Sequence, residues 1–376
     1  MKMRSLTVLG STGSIGRQTL EVAAQGGFEI VALAAGNNVD ALIEQAKTFK
    51  PKYVAIADES KHAVLKDALP GIKICTVLEA GQTDADMTMA AIVGTAGLAP
   101  TMEAVKRGKT VAFASKECLV AAGPLMMDAV KKYGTTFLPV DSEHNAIFQV
   151  LNDGQGVSRI VLTASGGPFR EWDAAMIASA SVEQALAHPT WKMGPKISVD
   201  SASLMNKALE VIEAHHLFAL PSEKIDVVFH PQSIVHGMVE YDDGSFLAQL
   251  GPADMRTPIS VCMAWPRRMT SPGQRLDLST LSRLDFAPPD IHKFPALRLV
   301  RDVLAGVAAD SIIFNAANEV AVAAFLAKNI SFGGIVDTVG RMLDTCHKPA
   351  INSLDDVYAC DDNVRRTTQD SLKKVA

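Results

Sequence analysis

A glycine-rich turn fixes more of this chain's architecture than any other feature. Leu6 to Leu9 is a short apolar run suited to a buried parallel strand, and Gly10-Ser11-Thr12-Gly13-Ser14-Ile15-Gly16 follows it directly and opens a helical stretch. Strand, glycine loop and helix in that order place backbone N–H groups and a helix N-terminus where a pyrophosphate can be held. The spacing is GxxGxxG, a variant of the commoner GxGxxG. Glycine also serves any tight strand-to-helix turn, so the context decides. Further strand-like runs follow at Ile30 to Leu33, Tyr53 to Ala57, Ala91 to Val93, Thr110 to Ala114 and Thr136 to Val140. Helical spacing at Thr19 to Ala24, Val39 to Phe49 and Thr101 to Arg107 separates them, with Gly108 at an expected C-terminal stop. That alternation predicts a doubly wound α/β sheet in which the loop is a dinucleotide site.

Residues 1–150 are therefore expected to form a Rossmann-like domain, and beyond Asp141 the pattern changes. A strand at Ile160 to Ala164, a loop at Ser165-Gly166-Gly167-Pro168, an amphipathic helix near Ala202 to Phe218 and strands near Ile225 to Phe229, Ile234 to Tyr241 and Ser245 to Leu250 predict a central α+β domain, 151–264. Pro266, Pro272, Pro288, Pro289 and Pro295 mark an extended linker, 265–294. Helical spacing at Ala296 to Leu304, Asn315 to Ala327 and Gly334 to Thr345 predicts a C-terminal helical bundle, 295–376.

With 376 residues, 48% of them apolar, the chain has material for several cores. Its net charge of -5 supplies no basic field for nucleic acid or an anionic membrane, so a phosphate ligand needs a local basic site. Cys75, Cys118, Cys262, Cys346 and Cys360 are odd in number and lack CxxC spacing, which predicts reduced thiols in a cytoplasmic protein. Met1-Lys2-Met3-Arg4-Ser5 carries no signal-peptide pattern, and no apolar run is read as reaching the ~18 residues of a membrane helix.

After the second strand, where an NAD enzyme usually carries an acid for the ribose 2′-hydroxyl, the chain reads Gly36-Asn37-Asn38. Neutral donors there tolerate a 2′-phosphate, so NADPH is favoured, with Asp40 as the residue that could reverse the preference.

Asp141-Ser142-Glu143 begins at the carboxyl end of the last strand of the α/β domain, where ligands of open sheets gather. Read as extended backbone, Asp141 and Glu143 project to one side; read as a polar turn, Asp141 is a helix N-cap. On the helix near 202–218, Leu204, Ala208, Val211, Ile212 and His215 share one face and Ser203, Asn206, Lys207, Glu210 and Glu213 the other. Asn206, Lys207 and Glu210 project together, either as a site or as a solvated face with a Lys–Glu pair. Three carboxylates without cysteine would suit Mg²⁺ or Mn²⁺.

The segments Gly10 to Gly16, Lys116-Glu117, Asp141 to Phe148, Ser165 to Phe169, His188 to Gly194 and Asp200 to Lys207 resemble, in identity and order, the motif series of the 1-deoxy-D-xylulose 5-phosphate reductoisomerase family. So do His230-Pro231-Gln232-Ser233, Ala248 to Gly251, Asp254 to Pro258 and Asn315 to Glu319, extending the likeness over nearly the whole chain. The resemblance implies a homodimer with an NADPH-binding domain, a central catalytic domain that also supplies the dimer contact, and a helical C-terminal domain. It implies a sugar-phosphate substrate, rearranged and then reduced to 2-C-methyl-D-erythritol 4-phosphate. Asp141, Glu143 and Glu210 become ligands of Mn²⁺ or Mg²⁺, and Lys116, Ser142 and Glu143 contact the reacting end, with Lys116 and Glu143 catalytic. Ser165, Ser201, Asn206 and Lys207 become the phosphate site, joined by His188 from a mobile segment whose Trp191 and Met193 form a lid. Thr12, Gly13, Ser14, Ile15, Gly36, Asn37, Asn38, Ser115, Glu117 and Gly194 become cofactor contacts. Where many relatives read Asn-Lys-Glu this chain reads Ser115-Lys116-Glu117, and the shorter serine puts that one contact in question.

Other chemistries fit less well. Ser165 lacks a GxSxG elbow and the histidines lack HExxH or HxxxH spacing; His215-His216 suit a helix end. A plain NADP-linked dehydrogenase would not need three acids around one metal, and a silent nucleotide sensor would not need Lys116, Glu143 and Glu210.

Overall fold

The computed structural model describes residues 4–152, 154–191 and 193–373, so Met1 to Met3 and Lys192 of the segments quoted above lie outside the described residues. Its N-terminal part runs β1 (Ser5–Leu9), α1 (Ser14–Gly26), β2 (Glu29–Ala35), α2 (Val39–Phe49), β3 (Tyr53–Ile56), α3 (His62–Ala68), β4 (Lys73–Cys75), α4 (Val77–Gly81), β5 (Met87–Ala90), α5 (Leu98–Lys106), β6 (Thr110–Phe113), α6 (Lys116–Tyr133), β7 (Thr136–Pro139) and α7 (Ser142–Val150). The strands form a parallel seven-stranded sheet ordered β4-β3-β2-β1-β5-β6-β7. Leu6, Val8 and Leu9 are fully buried, as expected of a central strand covered on both faces. α6 loses helical geometry at Ala122, two residues before Pro124, whose ring and missing N–H disfavour the preceding turn.

The sequence predicts a strand at Ala91 to Val93, and the structure corrects this: β5 ends at Ala90 and the next residues form a loop. β-Branched side chains mark strands only where they pack, and Val93 is 74% exposed.

The chain continues through β8 (Val157–Ala164), α8 (Ala174–Ala178), α9 (Val182–Leu186), α10 (Pro195–Ala202), α11 (Met205–Phe218), β9 (Ile225–Phe229), β10 (Val235–Tyr241), β11 (Phe246–Leu250), α12 (Arg256–Ala264), α13 (Ala296–Ala305), α14 (Ala308–Leu326), α15 (Gly333–Thr345) and α16 (Leu354–Lys373). The helix predicted near 202–218 is α11, which starts at Met205 because Leu204, at a left-handed φ of 59, separates it from α10. The second sheet is mixed, ordered β11-β10-β8-β9, with β8 and β9 parallel and the other pairs antiparallel.

Two compact units result. The first takes the chain up to Cys118, Pro124–Asn145 and Asp254–Arg275; the second takes Leu119–Gly123, Ala146–Ala253 and the chain from Leu276 onward. In the first, α12 packs on α1 and β6, and the Asn145 amide donates to Pro139 O at 2.8 Å and meets the Cys262 thiol at 3.4 Å. In the second, α14 packs against α15 and α16. At 19 residues and a mean hydropathy of 1.3, α14 is long and apolar enough to cross a membrane, which corrects the sequence reading. Its apolar stretch starts at Ala308, ahead of the turn that the sequence pattern picked out, and 78% of it is buried within the fold, as in a core helix.

Candidate active site

In the first unit, strand order reverses between β1 and β5, and an open α/β sheet binds ligands at the carboxyl ends beside such a switch. Gly10 leaves β1 at φ 86, and the N–H groups of Gly10 and Ser11 donate to Ala34 O at 2.9 and 2.8 Å, lashing the loop to the end of β2. A Cβ on Gly10 would lie 2.4 Å from Ala91 O, and one on Gly16 would lie 2.2 Å from Gly10 O. Only glycines let strand, loop and helix approach this closely. Gly13 and Ser14 are exposed at the start of α1, with Thr12 and Ile15 half-buried. Gly36, Asn37 and Asn38 are exposed past β2; Asn38 Oδ1 caps α2 by accepting from Ala41 N at 3.1 Å, and Asp40 sits inside that helix.

Ser115 is buried before α6, and its hydroxyl donates to Ile92 O at 2.6 Å and approaches Ala90 O at 3.2 Å. The Cys118 thiol donates to Gly94 O at 3.4 Å. The first turn of α6 thus anchors the 91–94 loop, which flanks the glycine turn and includes the Ala91 to Val93 run expected to be a strand. The exposed Val93 was the available clue only once the fold was known. Glu117 is buried in the same turn.

Lys116 opens α6 and Asp141 stands before α7, so β6 and β7 bring two residues distant in sequence together: Lys116 Nζ lies 2.7 Å from Asp141 Oδ2. Burial alone would raise the Asp141 carboxyl, but the Lys116 ammonium and His144, whose Nδ1 is 3.7 Å away, hold it far below the usual carboxylate range. His144 escaped the sequence reading, although its place three residues after Asp141 at a helix start was a usable signal. The extended backbone read at Asp141 to Glu143 is not what forms. α7 begins at Ser142, Asn145 N donates to Asp141 O at 2.8 Å, and Asp141 occupies the alternative helix-start position. Ser142 Oγ donates to the neighbouring Glu143 carboxylate.

In the second unit, Asn206 Nδ2 and Lys207 Nζ donate to the two oxygens of Glu210. Lys207, Glu210 and Glu213 are all buried, which removes the solvated-face reading of this helix. Ser165 follows β8, and its Oγ accepts from Gly167 N at 3.2 Å and lies 3.1 Å from His188 Nε2. His188 Nδ1 accepts the N–H groups of Thr190 and Trp191 at 3.1 and 2.9 Å. Two donors on Nδ1 leave the proton on Nε2, so His188 donates to Ser165 and the serine hydroxyl is left to donate elsewhere. Ser201 lies in the last turn of α10, half-buried, and Gly194 precedes that helix as its exposed N-cap. The described residues of 187–194 carry no regular structure, and half-buried Trp191 approaches the His236 ring at 6.2 Å.

The chain matches the family described as 1-deoxy-D-xylulose 5-phosphate reductoisomerase over residues 6–123, the C-terminal domain of that enzyme over 137–218, and the DXP reductoisomerase C-terminal domain over 250–367. It is 54% identical over 374 residues to the 1-deoxy-D-xylulose 5-phosphate reductoisomerase of Rhodospirillum centenum, covering 97% of this chain and 93% of that protein. The structure of the Zymomonas mobilis reductoisomerase in complex with NADPH superimposes with a TM-score of 0.92 at 47% identity, covering 99% of each chain. A crystal structure of a DOX-P reductoisomerase in complex with NADPH, fosmidomycin and magnesium superimposes with a TM-score of 0.93 at 39% identity, again over 99% of each chain.

Proposed function

The chain belongs to the 1-deoxy-D-xylulose 5-phosphate reductoisomerase family, and we propose that Asp141, Glu143 and Glu210 are its metal ligands, Lys116 and Glu143 its catalytic pair, and Ser165, Ser201, Asn206 and Lys207 its phosphate site. The enzyme rearranges 1-deoxy-D-xylulose 5-phosphate and reduces the product with NADPH to 2-C-methyl-D-erythritol 4-phosphate, in non-mevalonate isoprenoid precursor biosynthesis, and it uses a divalent metal. The residues present fit both groups. Gly10 and Gly16, which tolerate no Cβ, let the turn run tightly into α1, and exposed Gly13 and Ser14 leave the start of that helix open to a pyrophosphate. The three acids offer only hard oxygen donors, and Asp141 is held ionised, as Mg²⁺ or Mn²⁺ requires. When bound, the metal polarises the substrate carbonyl and NADPH supplies the hydride.

The protein's own groups carry the rest. Ser165, with its hydroxyl oriented by His188, and Ser201, Asn206 and Lys207 grip the phosphate, and this remote binding orients the reacting carbons. One ammonium among neutral donors balances a phosphate without a large basic patch. Lys116, paired with Asp141, donates a hydrogen bond to a substrate oxygen. Glu143, oriented by Ser142, takes the proton of the C4 hydroxyl as the C3–C4 bond breaks in the retro-aldol sense and returns it on re-addition. The Lys116–Asp141 pair, its lysine buried and its acid half-buried at the carboxyl edge of a dinucleotide-type sheet, is the observation that supports this assignment most.

The same reading makes the chain a homodimer. β11 is an outer strand of its sheet and exposes Phe246, Leu247 and Leu250, an apolar edge that a second copy would cover. It also places the enzyme in the cytoplasm, in keeping with five free thiols. The direct test is NADPH oxidation on adding 1-deoxy-D-xylulose 5-phosphate, with and without Mn²⁺ or Mg²⁺. Metal-dependent oxidation is expected; full turnover after chelation would refute the ligand assignment.

A further inference from the structure

Asn315-Ala316-Ala317-Asn318-Glu319 lies on α14, and the reaction as assigned gives it no task. Asn318 is fully buried, and its Nδ2 donates to Asp200 Oδ1 at 2.9 Å. Asp200, on α10, is only 1% exposed, and Lys196 reaches its other oxygen at 3.0 Å from one turn earlier. A carboxylate this deep is tolerated only where a cation and a hydrogen-bond donor replace its lost hydration. Such a pairing also fixes position, because moving either element would strand the charge.

What it fixes is the helix that carries Ser201. α10 packs on α9, α11 and α14, and among these α14 is the one that meets its buried carboxylate, through Asn318. At the other end, a Cβ on Gly167 would lie 2.9 Å from Ser201 O, so the loop that carries Ser165 rests directly on the α10 backbone. A shift of α10 therefore moves Ser201 and displaces the Ser165 loop together.

We propose that Asp200 and Asn318 are positioning residues for phosphate recognition, with α14 holding α10 so that Ser201 and Ser165 keep one spacing. This rests on the reading that Ser165, Ser201, Asn206 and Lys207 bind the phosphate. Neither residue touches substrate; each acts through the serine that α10 presents.

The test compares full-length Asn318→Leu and Asp200→Asn with wild type in the presence of Mg²⁺. It measures kcat, the KM values for 1-deoxy-D-xylulose 5-phosphate and NADPH, the inhibition constant of the phosphonate fosmidomycin, and Tm. Asn318→Leu is expected to raise the sugar-phosphate KM and the fosmidomycin constant about tenfold, the scale of one lost hydrogen bond to a charged group, with kcat and the NADPH KM within about twofold of wild type. Asp200→Asn keeps an acceptor for Asn318 and is expected to retain most of the affinity. A fall in kcat with KM unchanged, or a parallel loss of NADPH and substrate affinity with lowered Tm, would overturn the proposal. If Asn318→Leu does not fold, Lys196→Met at the more accessible end of the network decides: a folded variant with unchanged KM refutes the positioning role. Lys207→Ala separates the two readings. If it leaves both constants untouched, the phosphate assignment itself is wrong; if it raises them while Asn318→Leu does not, only the positioning role falls.

Discussion

The imidazole Nε2 of His188 lies 3.1 Å from Ser165 Oγ, and the same ring accepts two backbone N–H groups at Nδ1 from the stretch that follows it. One side chain therefore joins Ser165, proposed above as a phosphate contact, to the segment carrying Trp191, and the link works only while the ring is neutral.

That dependence predicts an acid limit to substrate affinity. Burial lowers the His188 pKa below its ordinary 6.5, so the neutral form is favoured in the fold. A histidine with a depressed pKa contributes stability fully above its unfolded value and loses it as the pH falls from there through the folded value. Protonating Nδ1 would set an N–H against two N–H donors and release the segment. The sugar-phosphate KM should rise only as the pH falls through the lowered pKa of His188 in the fold, beneath its ordinary 6.5, and His188→Gln, which can still donate to Ser165 but does not titrate, should lose that part of the rise. Ionisation of the substrate phosphate affects both proteins alike, so identical profiles would exclude His188 as the source.

Removing a charge from α11 should separate metal binding from phosphate binding. Glu210→Gln is expected to weaken Mn²⁺ binding and to cut turnover by more than about a hundredfold, leaving NADPH affinity nearly intact. Unchanged metal affinity in a Mn²⁺ titration would remove Glu210 from the ligand set. Lys207→Ala should instead act mainly on substrate affinity, by about 1.5 to 3 kcal/mol, the scale of a charge-assisted hydrogen bond.

Cofactor choice can be tested at the end of β2. Gly36, Asn37 and Asn38 offer no carboxylate there, and Asp40 is already within α2, so NADPH should be preferred over NADH. Asn37→Asp should narrow the preference, since a carboxylate accepts from a ribose 2′-hydroxyl and repels a 2′-phosphate. Equal specificity constants for the two cofactors in the wild type would contradict the reading.

The glycine turn gives a stability prediction. A methyl at Gly16 would meet Gly10 O at 2.2 Å, a backbone atom that can yield only by displacing the loop. Gly16→Ala should lower stability by about 1 to 3 kcal/mol and weaken NADPH binding more than metal binding. Wild-type thermal stability in this variant would mean that the loop relaxes at little cost.

These tests also show where sequence was sufficient. The glycine turn was legible because its chemistry is local: strand, tight turn and helix are adjacent in the chain. β5 was displaced because Ala91-Ile92-Val93 is more β-branched than the true strand Met87–Ala90, and only sheet pairing decides between them. The three-residue strand β4 is too short for periodicity to register. The α10–α11 break hangs on Leu204 at positive φ, which leucine rarely adopts and no local pattern announces. α16 was legible and overlooked: Ser353 Oγ and Asp356 cap its start reciprocally, the spacing of a capping box. The Lys116–Asp141 and Asp200–Asn318 pairs join distant segments, so only topology creates them.

The last prediction concerns the stretch from His188 to Gly194, expected to close over bound substrate and exclude water. It lies between α9 and α10, its described residues carry no regular structure, and its Trp191 is half-buried rather than packed in a core. The protein's other tryptophans serve as controls, because Trp172 packs on Phe169 at 4.7 Å and Trp265 is 37% exposed just past α12. With Mg²⁺ and fosmidomycin, emission from the wild type should change, and that change should vanish in Trp191→Phe while surviving in Trp172→Phe and Trp265→Phe. Trp191→Phe should also lose turnover more than NADPH affinity, since Trp191 is not among the residues assigned to the cofactor, to which this segment contributes only Gly194. If Trp191→Phe instead keeps both the ligand-dependent emission change and full turnover, the segment does not close over the site, and Trp191 contributes only its contact with His236.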